Sequence, residues 1–206
     1  MKKTIVLILL LIPMLCFAGA LQEKHRSVIA KKNVVAGGTT ENIGRESVPA
    51  SEANMAAGYM YCYKLEETPS SNGTAQSITF TSLLSEAGSG QIYLSIYTHD
   101  SGNDLPATVL ANSASDEITV TATSDTDYTH TYTGTKPVIA SGTQYWLCVS
   151  NEGDTQQNVK YNYADTGSTE VAYKSIPHGT FPDWAGSAGG TSDSRYWGKL
   201  YFVNGY

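Results

Sequence analysis

The chain has 206 residues, with 13 Lys and Arg against 19 Asp and Glu and a formal net charge of −6, so its electrostatics argue against nucleic acid as a partner. It is poor in Leu and Lys but rich in Thr, Ser, Gly and Tyr, a mixture that suits antiparallel sheets better than helices. The length fits one domain with a real core plus an N-terminal extension.

Lys2 and Lys3, an apolar run from Ile5 to Phe17, and Ala18-Gly19-Ala20 reproduce the three regions of a secretory signal, which predicts cleavage after Ala20. The run is short of the ~20 apolar residues that span a bilayer. Cys16 lacks the small preceding residue of a lipoprotein signal, so no lipid anchor and no transmembrane anchor is expected after cleavage. The expected destination is the periplasm, the cell surface or the medium. Residues 21–57 mix Lys24, Arg26, Lys31 and Lys32 with Gly37-Gly38-Thr39-Thr40 and keep no sustained period. They read as a linker or loosely docked arm, in which Ser27 to Val35 has the composition of a short strand.

From Gly58 the pattern sharpens. Tyr59, Tyr61, Tyr63 and Leu65 alternate with Met60, Cys62 and Lys64, the period-two signature of a strand. Gln76 to Leu84 predicts a second strand, and Glu86 to Gly90 a Gly-rich hairpin. In Gln91 to Tyr97 the residues Ile92, Leu94 and Ile96 fall on one side and Tyr93, Ser95 and Tyr97 on the other. The turn formers of His99 to Pro106 end that strand. Further strands are predicted at Glu117 to Ala122, and at Thr126 to Thr133, where Tyr128, His130 and Tyr132 share a face. After the Ser141-Gly142 turn, Tyr145, Leu147 and Val149 point inward while Trp146 and Cys148 point the other way. Asn158 to Ala164, Glu170 to Lys174 and Tyr196 to Val203 complete the set, with Ile176 to Ser194 as the longest loop. Eight or nine such strands without a helical period predict an all-β, jelly-roll-like sandwich of two antiparallel sheets over 58–206.

Two of these segments, marked by Ile96, Tyr97, Asp100, Gly102, Pro106 and Leu110 and by Gly142, Thr143, Tyr145, Trp146 and Leu147, resemble a family of secreted bacterial and phage-associated β-sandwich modules. The resemblance runs from about Gly58 to the C-terminus. It implies a secreted, carbohydrate-binding-like module; the shared motifs specify strands and turns, not chemistry.

After the signal only Cys62 and Cys148 remain, and an oxidising compartment would join them; two buried thiols are the alternative. No Gly-x-Ser-x-Gly elbow occurs, and His25, His99, His130 and His178 are isolated, without the spacing of a metal or triad site. Asp100 with Asp104, and Asp125 with Asp127, lie in turns, where Asp ordinarily caps the backbone; calcium at Asp100–Asp104 is the competing reading. No enzymatic activity, cofactor or metal is therefore expected. Aromatic residues are the remaining resource, since Tyr and Trp stack on sugars and anchor protein contacts. Trp146 and Trp197 fall in predicted strands, whereas Trp184 follows Phe181-Pro182-Asp183 in the long loop. Trp184, Tyr173 and Asp183 are thus the candidate ligand-binding residues, with Trp184 as a plug of the sandwich being the alternative. The function expected is a non-catalytic exported module that binds glycan or another extracellular polymer. The alternative is a structural or adhesion subunit whose protein partner adds through exposed strand edges.

Overall fold

The computed structural model describes residues 34–35, 38–44, 51–151, 159–165, 170–177, 180–184, 189–192, 194–196 and 198–204. The signal sequence, His25, His178 and Trp197 lie outside the described residues. Two antiparallel sheets face each other across one core. The nine-stranded sheet contains β1 (Val34–Val35), β2 (Gly38–Gly44), β3 (Ser51–Asn54), β5 (Gly73–Leu84), β9 (Thr126–Thr131), β10 (Val138–Ile139), β12 (Val159–Asp165), β15 (Ser194–Tyr196) and β16 (Gly198–Asn204). The seven-stranded sheet contains β4 (Tyr59–Lys64), β6 (Gly90–Asp100), β7 (Leu105–Val109), β8 (Ile118–Val120), β11 (Tyr145–Asn151), β13 (Val171–Ser175) and β14 (Gly190–Ser192). The chain crosses repeatedly between them, from β4 to β5 to β6 and from β11 to β12 to β13, which is the alternation of a jelly roll.

Period-two patterning sets the register. Ile78 and Phe80 of β5, Leu94 and Ile96 of β6, Leu147 and Val149 of β11, and Leu200 and Phe202 of β16 all bury their side chains between the sheets. A slip of one residue in any of these strands would turn its apolar side chains out of the core. The Ser141-Gly142 turn forms as its composition predicts, with Gly142 at φ 68°.

The sixteen strands among the described residues outnumber the eight or nine that turn spacing predicts. The additional ones are short or polar, such as Val138–Ile139, Gly190–Ser192 and Ser51–Asn54, and their neighbours' hydrogen bonds fix them rather than any hydrophobic alternation. Strands β2 and β3, which precede Gly58, pair into the nine-stranded sheet. Strand β2 pairs with β16 from Thr39 to Gly44, β3 pairs with β12, and Ile43 and Met55 are buried in the core. One apolar residue in Gly38–Gly44 is too few to reveal a strand by period, yet enough to seat it once β16 supplies the ladder.

Cys62 and Cys148 form a disulfide, with α-carbons 4.0 Å apart at directly opposed positions of β4 and β11. Such a bond belongs to oxidising compartments. No helix among the described residues is long and apolar enough to cross a membrane.

The free flank of β6 is closed by side chains. Between its pairings with β8 and β7, Ser115 Oγ accepts from Leu94 N at 2.8 Å, and Ser113 Oγ accepts from Ile96 N at 3.1 Å while donating to Ile96 O at 3.0 Å. Serine hydroxyls thus complete the ladder where no strand lies.

Candidate functional site

The outer face of the seven-stranded sheet is covered rather than solvated. Met60, Cys62, Tyr97, Trp146, Cys148 and Ala172 point away from the sandwich core, yet all are buried in a second apolar cluster. Its lid is the segment after β13, whose Ile176, Phe181 and Trp184 pack down onto that face. Trp184 N donates to Ala107 O at 2.7 Å, so the segment also takes up the open edge of β7. Tyr97 Oη donates to Pro182 O at 3.0 Å; burial, with a smaller contribution from Asp183, pushes that phenol's pKa far up. Lys174 Nζ donates to Asp183 O at 3.1 Å and sits 5.0 Å from the centre of the Trp184 ring. Burial lowers the Lys174 pKa, with the Asp183 carboxylate opposing the shift.

Trp184 is therefore 0% exposed and offers no face to a sugar. Its flat ring shields the disulfide face, which is the plug alternative, although it covers a sheet face and not an end of the sandwich. Among the described residues its indole Nε1 has no hydrogen-bond partner, a cost that burial of the whole ring outweighs. Asp183 is exposed, and Tyr173 is half-buried on the opposite side of the sheet, because Ala172 and Lys174 face the lid while Val171 and Tyr173 face the core. The three residues singled out from the sequence do not form one platform.

At the lid-side corner, Trp146 Nε1 donates to His99 Nδ1 at 3.0 Å, which fixes the proton of a neutral His99 on Nε2, 3.7 Å from Asp104 Oδ1. Lys64 Nζ holds both Asp104 oxygens at 2.7 and 2.9 Å and lies 5.8 Å from the Trp146 ring centre. Asp100 Oδ1 accepts from Gly102 N and Oδ2 from Asn103 Nδ2, and these bonds, the Asn103 one foremost, lower its pKa. Turn chemistry and Lys64 thus engage both carboxylates of the sequence's calcium candidate. Asp127 accepts from Thr81, and His130 packs edge-on against Tyr132 with its pKa lowered by burial against a weaker opposing pull from Asp116. Among the described residues no group of three His, Cys, Asp or Glu side chains is arranged to hold a metal.

The aromatic surface that remains is made of tyrosine. Tyr173 on β13 stands directly opposite Tyr61 on β4, and their rings lie 5.8 Å apart at 28°. Tyr59 completes the group, 6.4 Å from Tyr61 and 6.5 Å from Tyr173 and tilted 42° and 52° to them. The Tyr61 ring is buried in the core cluster, and Tyr59 and Tyr173 pack against that cluster while staying half-exposed. Tyr61 is anchored, its Oη accepting from Ala56 N at 3.0 Å, whereas Tyr59 and Tyr173 are half-exposed. The Tyr173 ring extends over the edge strand β14 because position 190 is glycine; a Cβ there would run into the ring. Tyr59 and Tyr61 are readable in the sequence as the period-two spacing of a strand, but only the sheet register brings Tyr173 beside them.

The chain matches no protein-family model, and no curated protein resembles it significantly.

Proposed function

We propose that this chain is an exported, non-catalytic binding module that holds an extracellular glycan on the Tyr59–Tyr61–Tyr173 strip. The observation that carries the reading is the pair of half-exposed rings of Tyr59 and Tyr173 flanking the anchored Tyr61 on one face. Large aromatics with polar tips suit sugars, whose axial C–H faces stack on the ring while the phenol hydroxyls reach sugar hydroxyls. Among the described residues no hydrogen bond engages the Tyr59 or Tyr173 hydroxyl, so both remain able to donate to a ligand. The disulfide and the signal-like N-terminus accord with work outside the cytoplasm.

Protein assembly through strand edges is less favoured. The β7 edge is occupied by Trp184 N and the open flank of β6 by Ser113 and Ser115. Three tyrosines also fall far short of the ~800 Å² per partner of a stable protein interface. Glycan-array binding of the exported protein, beside its Tyr173→Ala variant, tests the reading. Signal on at least one glycan, reduced about tenfold in the variant, is expected from loss of one stacking ring. Equal signals from the two proteins would move the site elsewhere.

A further inference from the structure

We propose that the outer edge of β9 pairs with the β9 edge of a second copy of this chain, joining two nine-stranded sheets across a two-fold axis. The pairing goes beyond the glycan reading and stands whatever the tyrosine strip holds. Edge strands invite added strands, and folds blunt them with proline, lysine, a bulge, a cover or extreme shortness. Strands β1, β3, β8, β10, β14 and β15 run for only two to four residues, and the β7 edge is taken by Trp184 N. Strand β9 carries none of these devices. Its six residues, TDYTHT, contain no Pro or Lys, and they pair with β5 on one side without a shift of register. That register decides which backbone groups face outward. Tyr132 N donates to Gln76 O at 2.8 Å, so steps of two along the ladder turn the backbone of His130, Tyr128 and Thr126 toward β5. The N–H and C=O groups of Asp127, Thr129 and Thr131 therefore point away from it, and among the described residues none of them has a hydrogen-bond partner. Exposure agrees: these three residues are exposed, and Tyr128 and His130 stay half-exposed although they alternate to the core side.

A second copy fits this edge because the edge is complementary to itself. With Thr129 opposite the second copy's Thr129, Asp127 stands opposite the second copy's Thr131, and every outward N–H and C=O on both strands finds a partner. Any shift leaves some of these groups unpaired, and the shift centred on Asp127 also sets two carboxylates face to face. Side chains agree on both faces. On the outer face, Thr79 Oγ1 and Thr129 Oγ1 already lie 2.8 Å apart, so the joined sheet carries an unbroken row of threonines across the axis. On the core side, Tyr128 falls opposite the second copy's His130, at the non-hydrogen-bonded positions where side chains approach most closely, and each half-exposed ring covers the other. Two short strands bury less than the ~800 Å² per partner of a permanent interface, so the dimer forms with concentration, at a Kd on the order of 10 μM. It is a closed pair, because each copy's only such edge is used up.

Sedimentation velocity of the exported protein, from about 1 to about 300 μM, tests the pairing. The expected result is a mass that rises from one chain to two and no further. Substitutions at the exposed Thr131 test the register. Thr131→Lys sets a cation opposite the second copy's Asp127 and should lower Kd about threefold, whereas Thr131→Asp opposes two carboxylates and should raise it about tenfold. Thr129→Pro removes an outward N–H while leaving the β5 ladder, which uses Tyr128 and His130, and should abolish the dimer with the circular dichroism of the sheets kept. Should that variant fail to fold, the two Thr131 substitutions decide. A single chain at every concentration, growth beyond two chains, or a dimer whose Kd ignores the Thr131 substitutions would each overturn the proposal, and none of these results bears on retention of glycan by the tyrosines.

Discussion

Two aromatic regions on the same sheet meet opposite fates. On the outer face, Trp146, Tyr97 and Trp184 are closed over by the chain itself, and the lid's backbone, through Pro182 O, Asp183 O and Trp184 N, is tied to Tyr97, Lys174 and β7. On the core-facing side Tyr61 is buried, and Tyr59 and Tyr173 pack against the core cluster but remain half-exposed. The difference shows that a tryptophan in a Gly-rich loop is not by that fact a ligand residue: here the segment after β13 reaches back past β4, β11 and β6 to β7 and covers a disulfide. Rings that the fold leaves half-exposed are the better guide to function.

The comparison breaks most easily at Trp184. Truncating a ring this deeply buried removes its packing and opens the cluster, so Trp184→Ala should cost ~3–5 kcal/mol and lower Tm by about 10 °C, measured by thermal circular dichroism. A change of only a degree or two would return Trp184 to the surface and to the list of ligand residues.

Removing the bond beneath the lid ranks next. The disulfide closes a loop across a sequence separation of 86, and Cys62→Ala with Cys148→Ala should cost about 2–5 kcal/mol in urea unfolding. With both sulfurs buried, dithiothreitol should reduce the intact protein slowly and the Trp184→Ala variant much faster, as thiol labelling would report. Equal rates would mean that the lid does not guard the bond.

A milder division should appear in alkali. Burial raises the pKa values of Tyr61, Tyr63, Tyr97 and Tyr132 above the ordinary 10.0. The folded state then retains protons that the unfolded chain has released, so this contribution to stability is complete below pH 10 and declines as pH rises beyond it. Ultraviolet titration should show these phenols ionising late, together with unfolding, after the exposed tyrosines. A single titration near pH 10 with the fold intact would contradict their burial.

Much of this architecture was legible in the sequence, and the parts that were not share a physical cause. Alternation revealed Tyr59–Lys64, Gly90–Asp100 and Tyr145–Asn151, because one face of each packs against the opposite sheet. It also set Cys148 on the same side of its strand as Trp146, and Cys62 on the same side as Met60. It was silent on β2 and β3, where a single side chain such as Ile43 carries the docking and the hydrogen bonds come from strands more than 100 residues away. The lid escaped for a similar reason. Nothing local in Ile176 to Trp184 encodes that the face opposite the core is also apolar; the clue lay in Met60, Cys62 and Trp146, each in a different segment from the residues that cover it. The tyrosine strip depends on the pairing of β4 with β13, a contact across more than 100 residues, so composition could show that tyrosine was in excess but not where the excess gathers.

The proposal is that the covered aromatics build the fold and the half-exposed ones bind. Its most direct test is to measure Tm and retention on one neutral polysaccharide for Tyr173→Ala, in parallel with the unmodified protein. Tyr173 is only partly buried, so its truncation should cost about 1–2 kcal/mol, a few degrees in Tm, while retention falls about tenfold. Undiminished retention with the same small loss of Tm would contradict the claim and show that the strip, like the lid, serves only to hold the sandwich together.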